Sequence, residues 1–144
     1  MPAFAVRDFQ RLPLPPGGLR LQPQGRPVLI NYPMNAYVEA NTVVLRTTVL
    51  GVRVEVEATP VSYSWAYGDG QTLVTGNPGG PYPDLSTSHV YVKPGRYQVS
   101  LSTTYEGRFR VVGTDEWWPV EGTATVDSPS VPVEAEEARA VLVP

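Results

Sequence analysis

From Val28 onward, hydrophobic and polar residues alternate with a period of two over much of the chain, which is the period of a half-buried strand. Val28-Leu29-Ile30 opens the pattern, and Tyr37-Val38-Glu39 resumes it after a turn expected around Pro33-Met34-Asn35. The run Val43–Leu50 is rich in β-branched residues, which suit a pleated surface. Val52-Arg53-Val54-Glu55-Val56-Glu57 alternates strictly, so the valines share one face and the charges the other. Gly51, between these runs, predicts a hairpin turn or a bulge. Thr59-Pro60 predicts a reversal of direction. After it, Val61–Tyr67 alternates again, with Ser62, Ser64 and Ala66 opposite the large side chains.

Tyr97, Val99 and Leu101 set the face of a strand ending near Tyr105, and Glu106-Gly107 before Phe109 and Val111 predicts a hairpin. Shorter β signals follow over Gly122–Val126, Val131–Ala135 and Ala140–Val143. Glu134–Arg139 has the length of one helical turn, too short to stand alone. No longer segment shows helical period. About seven to nine short strands with regularly spaced turns predict an all-β antiparallel sandwich.

The first 27 residues break the pattern. Leu12-Pro13-Leu14-Pro15-Pro16-Gly17-Gly18 and Gln22-Pro23-Gln24-Gly25-Arg26-Pro27 are rich in residues that fix φ or remove donors. They predict an extended Pro/Gly-rich arm or linker over 1–27, without a helix or a central strand, joined to a single domain over 28–144.

Composition narrows the chemistry. A chain of 144 residues with 42% hydrophobic residues can bury a core as one domain. Net charge is −3 and there is no basic tract, so no footprint for nucleic acid is visible. Cysteine is absent, which removes disulfides, thiolate metal sites and a cysteine nucleophile. No apolar run approaches the ~20 residues of a membrane helix, so no transmembrane segment is expected. With one histidine and no cysteine, a zinc site of the usual kind is excluded.

One stretch is more specific than the rest. Trp65-Ala66-Tyr67-Gly68-Asp69-Gly70 ends a strand in a tight turn. A loop over residues 71–88 follows, then His89-Val90-Tyr91-Val92-Lys93-Pro94-Gly95-Arg96-Tyr97. Gly68 and Gly70 suit positive φ, and the Asp69 carboxylate can accept backbone N–H groups. The pattern resembles the polycystic-kidney-disease (PKD) domain. That family's signature is an aromatic-x-Phe-Gly-Asp-Gly turn followed by His-x-Tyr, three intervening residues and Gly-x-Tyr-x-Val. The match covers residues 61–112, with Tyr67 in place of the usual Phe and a longer 71–88 loop.

The resemblance implies an immunoglobulin-like β-sandwich, extracellular or on a cell surface, of bacterial type, acting as a spacer or interaction domain without catalytic activity or cofactor. It implies partners such as a cell-surface protein or polysaccharide, and neighbouring domains in a longer precursor. Residues 1–7 lack the apolar stretch of a secretory signal, so an extracellular location implies a signal removed from, or absent from, this sequence. The resemblance also implies that the His89 strand lies beside the Gly-Asp-Gly turn. In that arrangement the imidazole bonds a carbonyl or hydroxyl, and Tyr97 packs on Trp65, the core plug.

Candidate sites follow from residue type. Adjacent residues on a strand face opposite ways, so Trp117 and Trp118 cannot both enter one core. An indole left outside, beside Asp115 and Glu116, could stack on a sugar, which makes a carbohydrate-binding module the alternative reading. Tyr82 and Asp84 mark the long loop as a second candidate binding region. Asp69 and Asp84 are candidate calcium ligands if the loop brings them together. Acid pairs drawn from Asp69, Asp84, Asp115 and Glu116 have no separation fixed by the sequence. His89 has no Gly-x-Ser-x-Gly elbow to serve.

Overall fold

The computed structural model describes residues 4–138, and two long antiparallel strands carry its fold. In chain order the elements are helix α1 (Val6–Gln10), then strands β1 (Gly18–Gln22), β2 (Val28–Leu29), β3 (Pro33–Glu39), β4 (Val43–Val49) and β5 (Val52–Ala66). They continue with β6 (Thr72–Thr75), β7 (His89–Val90), β8 (Gly95–Val111), β9 (Trp118–Pro119), β10 (Ala124–Asp127) and β11 (Val131–Glu136). The eleven strands among the described residues exceed the expected seven to nine because β2, β7 and β9 are pairings of only two residues.

The strands form two sheets. The larger runs β2-β11-β8-β5-β4, with β10 and β9 on β8 and β6 on β5; the smaller runs β1-β3-β7. Every pairing is antiparallel except β2 with β11. The fold is the expected all-β sandwich.

β5 and β8 pair along most of their length, where the sequence had predicted two breaks. Thr59-Pro60 does not turn the chain, and Glu106-Gly107 forms no hairpin. Instead the register shifts between Pro60 and Ser62, a bulge that absorbs one extra residue on β5. Its consequence is a change of phase. Before it the even positions Val54, Val56 and Ala58 are buried, and after it the odd positions Tyr63, Trp65 and Tyr67 are. β8 keeps one phase throughout: Val99, Leu101, Thr103, Tyr105 and Phe109 are all buried. Both halves of the ribbon thus bury the same face.

Gly107 is glycine for a different reason than a turn. A Cβ there would lie 2.7 Å from the Phe9 ring, so the strand leaves room for an aromatic plug. The predicted hairpin at Gly51 is present, with Leu50 (φ 50°) and Gly51 (φ 79°) at its tip. The turn expected at Pro33-Met34-Asn35 lies slightly earlier, around Asn31 (φ 68°), and Pro33 begins β3.

One face of the large sheet is covered by two different layers. Over the first half of β8, sheet β1-β3-β7 encloses Met34, Trp65, Tyr67, Tyr91, Leu101 and their neighbours. Over the second half, Phe4, Phe9 and Leu14 cover Val54, Val56, Tyr105 and Phe109. Residues 4–27 are therefore structured, which corrects the expectation of an arm without a helix. Within them Val6–Gln10 is helical, Asp8 accepts the Ala5 N–H, and Gly18–Gln22 is an edge strand on β3. The prolines still act as predicted on hydrogen bonding. With no N–H of their own, Pro15 and Pro16 offer carbonyls, which accept Tyr105 Oη at 2.6 Å and Thr103 Oγ1 at 3.4 Å. Residues 134–136 are strand rather than a helical turn, and Ala140–Val143 lie outside the described residues.

Candidate functional site

The signature residues form one aromatic and hydrogen-bonded cluster where β5 ends and β7 and β8 begin. Trp65 is fully buried and donates Nε1–H to Thr75 Oγ1 at 3.2 Å. Tyr67 stacks on His89, centroids 4.1 Å apart and planes 3° from parallel. His89 meets Tyr91 edge-on at 4.8 Å, and Tyr91 in turn stacks on Tyr97 at 4.3 Å. Tyr97 therefore packs on Tyr91 rather than on Trp65, and its Oη donates to the Lys93 carbonyl around the Gly95 turn. Tyr91 Oη donates to the Tyr67 carbonyl at 2.7 Å, closing the box.

His89 Nε2 lies 2.7 Å from Asp69 Oδ2, so its partner is a carboxylate and not the expected carbonyl or hydroxyl. The Asp69 carboxyl also accepts the Gln71 N–H at 3.0 Å. Burial alone would raise its pKa, but the His89 hydrogen bond and the Gln71 N–H outweigh that and hold it below the usual carboxylate range. Burial, with the Asp69 charge nearby, pushes the Tyr67 hydroxyl up to about 12 and Tyr91 higher still. Gly68 is required at φ +87°, where a Cβ would sit 2.6 Å from the Gln98 carbonyl oxygen. Together these contacts pin the turn against β8.

The loop predicted over 71–88 is shorter, because Thr72–Thr75 pairs with Tyr63–Ala66 as β6. What remains, residues 76–88, is tied down along its length. The Val38 N–H donates to the Pro78 carbonyl, Asn35 Nδ2 to the Gly80 carbonyl, the Tyr82 N–H to Gln22 Oε1, and Thr87 Oγ1 to the Ala36 carbonyl. Tyr67 Oη donates to the Thr87 carbonyl from beneath. On this braced base Tyr82 stands 70% exposed with Leu85 beside it, over a hollow of about 460 Å³ shared with Gln22, Asn35 and Tyr37. Asp84 accepts both the N–H and the hydroxyl of Ser86, which lowers its pKa. Among the described residues Asp69 and Asp84 share no partner. Among the described residues no three His, Asp or Glu side chains gather where they could hold an ion.

Trp117 and Trp118 lie against the other half of the sheet. Trp118 pairs with Phe109 in β9 and packs half-buried on the second core. Trp117 takes the opposite face, with the Arg108 and Arg110 guanidiniums 4.4 and 4.8 Å from its ring centre. Those arginines belong to a charge ladder. Arg108 grips Glu57 through two hydrogen bonds, and Glu55 accepts from both Arg46 and Arg110. Burial would raise the Glu55 pKa, but the two guanidiniums more than offset it and hold the carboxyl below its usual range. Asp115 and Glu116 are exposed in the preceding loop. The structure separates Trp117 and Trp118 from Tyr82 and Asp84, which stand over the first core.

The family model for the PKD domain matches residues 29–105, just over half of the chain. The chain belongs to the PKD domain family. The match spans β2 to the middle of β8, including every signature residue from Trp65 to Tyr97. No curated protein and no solved structure matches the chain. No helix among the described residues is long and apolar enough to cross a membrane.

Within this PKD domain, sequence reasoning missed the bracing of the loop by Gln22 and Asn35, and the plugging of the second core by Phe4, Phe9 and Leu14. The apolar residues at 4, 6, 9, 12 and 14 were the available signal for the plug, masked by the prolines that follow. Nothing local in the sequence marks Gln22 or Asn35, whose contacts span up to 60 residues.

Proposed function

We propose that this PKD domain is a non-catalytic extracellular module that recognises a cell-surface partner through its braced 76–88 loop. The observation that carries this reading is Tyr82, 70% exposed on a loop whose backbone is fixed at both flanks. A rigid loop loses little conformational entropy on binding, and an exposed tyrosine contributes apolar area with a polar tip. The Asp69–His89 pair supports the same view. Its imidazole is stacked on Tyr67 and hydrogen-bonded to the acid, and among the described residues no serine or threonine hydroxyl is bonded to it as a nucleophile would be. The family is typically found in extracellular proteins, often beside other domains, which favours a spacer that also presents a contact surface.

The carbohydrate-binding reading rests on Trp117 and Trp118. Both are half-buried, and Trp117 already carries two guanidiniums on its ring. Packed in this way the two indoles offer a sugar less free ring surface than Tyr82, 70% exposed, offers on the loop, so the loop is the stronger candidate.

The test is retention of the purified chain on bacterial cell walls and a panel of insoluble polysaccharides. The parent is compared with Tyr82→Ala and with a Trp117→Ala/Trp118→Ala double variant, all checked for folding. Retention lost in Tyr82→Ala and kept in the double variant is the expected result. The opposite ranking would replace this reading with the sugar-binding one.

A further inference from the structure

The sandwich is open along one side. Between β1 of the small sheet and β11 of the large one lies a cleft of about 710 Å³. Four consecutive residues of each strand wall it, Gly18 to Leu21 and Val131 to Glu134. A strand that offers a face contributes every second residue, because side chains alternate. Consecutive residues mean that strand edges form these walls. β1 is bonded to β3 on one side only, and among the described residues nothing pairs with its other edge. On the opposite wall, Pro132 pairs with Gln98 of β8. A proline sits in a ladder only where its missing N–H points away from the partner strand, so Pro132 turns a carbonyl and no donor toward the cleft. β1, with no proline among its five residues, is thus the wall with an unbroken row of donors and acceptors.

The floor is apolar. Leu19 and Leu21 of β1, buried Met34 and buried Val133 line it. The rim is basic, with Arg20, Arg26 and Arg96 against a single acid, Glu134. Arg20 has only a long, exposed contact to Glu39 at 3.7 Å, and among the described residues Arg26 and Arg96 have no ion pair. This basic rim stands on a chain whose net charge is −3, so the field at the cleft opposes that of the molecule.

We propose that this cleft takes an extended, acidic segment of a partner protein as an added strand on β1. The five residues of β1 span about 17 Å at ~3.4 Å per residue, a length matched by a short strand. Main-chain bonds to the β1 edge hold the segment, alternate apolar side chains enter over Leu19, Leu21 and Met34, and acidic side chains between them meet the arginine rim. A protein strand fits better than an acidic polysaccharide, because a polysaccharide has no amide ladder to complete the open edge and makes little use of a floor of leucine and methionine. The proposal rests on the protein-interaction reading above, yet the two fail separately. Surface retention through Tyr82 can hold while the cleft stays empty.

The experiment is selection from a displayed library of random peptides about ten residues long, enough to span one strand, on the intact chain. Enriched peptides are then titrated against the isotopically labelled protein. Expected are sequences alternating apolar and acidic residues, binding that weakens as salt is raised, and slowed amide exchange over Gly18–Gln22. An Arg26→Glu/Arg96→Glu variant should lose at least tenfold in affinity, by about 1.4 kcal/mol or more. Arg53→Glu, an equal change per site on the distant hairpin, should lose little. Both sites are exposed, so folding is checked simply by the melting curve. Failure to enrich any acidic sequence overturns the proposal. So does binding that leaves the β1 amides unprotected, or equal loss in Arg53→Glu. Polygalacturonate binding that is abolished by Arg26→Glu/Arg96→Glu without β1 protection assigns the cleft to a polyanion and also overturns it.

Discussion

The two halves of the β5/β8 ribbon bury the same face but are closed differently. Over Trp65 and Leu101 the cover is another sheet, locked by the Tyr67–His89–Tyr91–Tyr97 stack and the Asp69–His89 pair. Over Val56 and Phe109 the cover is an N-terminal segment with one short helix, held by Phe4, Phe9, Leu14 and a few hydrogen bonds to proline carbonyls. Stability in the first half is written into a dense local signature. In the second half it depends on a segment about a hundred residues distant in sequence from Phe109. The lesson is that one pair of strands can host a family core and an appended one, provided a single bulge corrects the phase between them.

The largest expected effect breaks the first half. Trp65→Ala should cost about 3–5 kcal/mol by cavity creation, seen in urea denaturation. Phe9→Ala removes a fully buried ring from the second core and should cost about 3 kcal/mol, toward the lower end because the segment can partly collapse.

The close approach of Gly107 to Phe9 gives a sharper test. Gly107→Ala should destabilise by about 1–3 kcal/mol through overpacking. In a Phe9→Ala background the same change should cost much less, so a double-mutant cycle should show coupling of roughly 1 kcal/mol or more. Additive effects would mean that the ring and the strand do not meet.

pH reaches both halves, since Glu55 on the second titrates below its ordinary range and Tyr105 above its own, but two groups of the first half can be followed by substitution. Asp69 titrates lower in the folded state than its ordinary 3.8, so its contribution is present above that value and lost as pH falls through the folded one. Tyr67 titrates higher folded, at about 12 against 10.0. Its contribution is full below pH 10 and is lost as pH rises toward 12. Asp69→Asn should flatten the acid side of a melting-temperature profile, and Tyr67→Phe the alkaline side. Neither change should alter the response of the parent to Phe9→Ala.

The smallest effect lies at the hairpin tip. Leu50 is 87% exposed at φ 50°. Leu50→Gly should relieve left-handed strain and be neutral or stabilising by up to about 1 kcal/mol, measured by thermal melts.

What the sequence revealed follows the same division. The valine alternation of β5, the Trp65 plug and the Gly-Asp-Gly turn were legible because each is local and periodic. Thr59-Pro60 misled because proline signals a turn, yet beside a bulge its missing N–H is tolerated. Glu106-Gly107 misled because glycine marks both turns and close approach, and only the packed Phe9 distinguishes them. The Asp69–His89 pair needed two segments brought together. Strand parity put one of Trp117 and Trp118 outside the core without saying which, and the arginines across the Trp117 ring come from alternate positions of β8 and carry no signal of their own. The edge of β1 was hidden by its Pro-rich flanks.

The most direct test of the account is residue-resolved amide exchange of Phe9→Ala against the parent. The two-layer description predicts lost protection at Val54–Ala58 of β5 and Gly107–Phe109 of β8, with protection kept at Tyr63–Ala66 and Val99–Leu101. Uniform loss across both halves, or none in either, would contradict it.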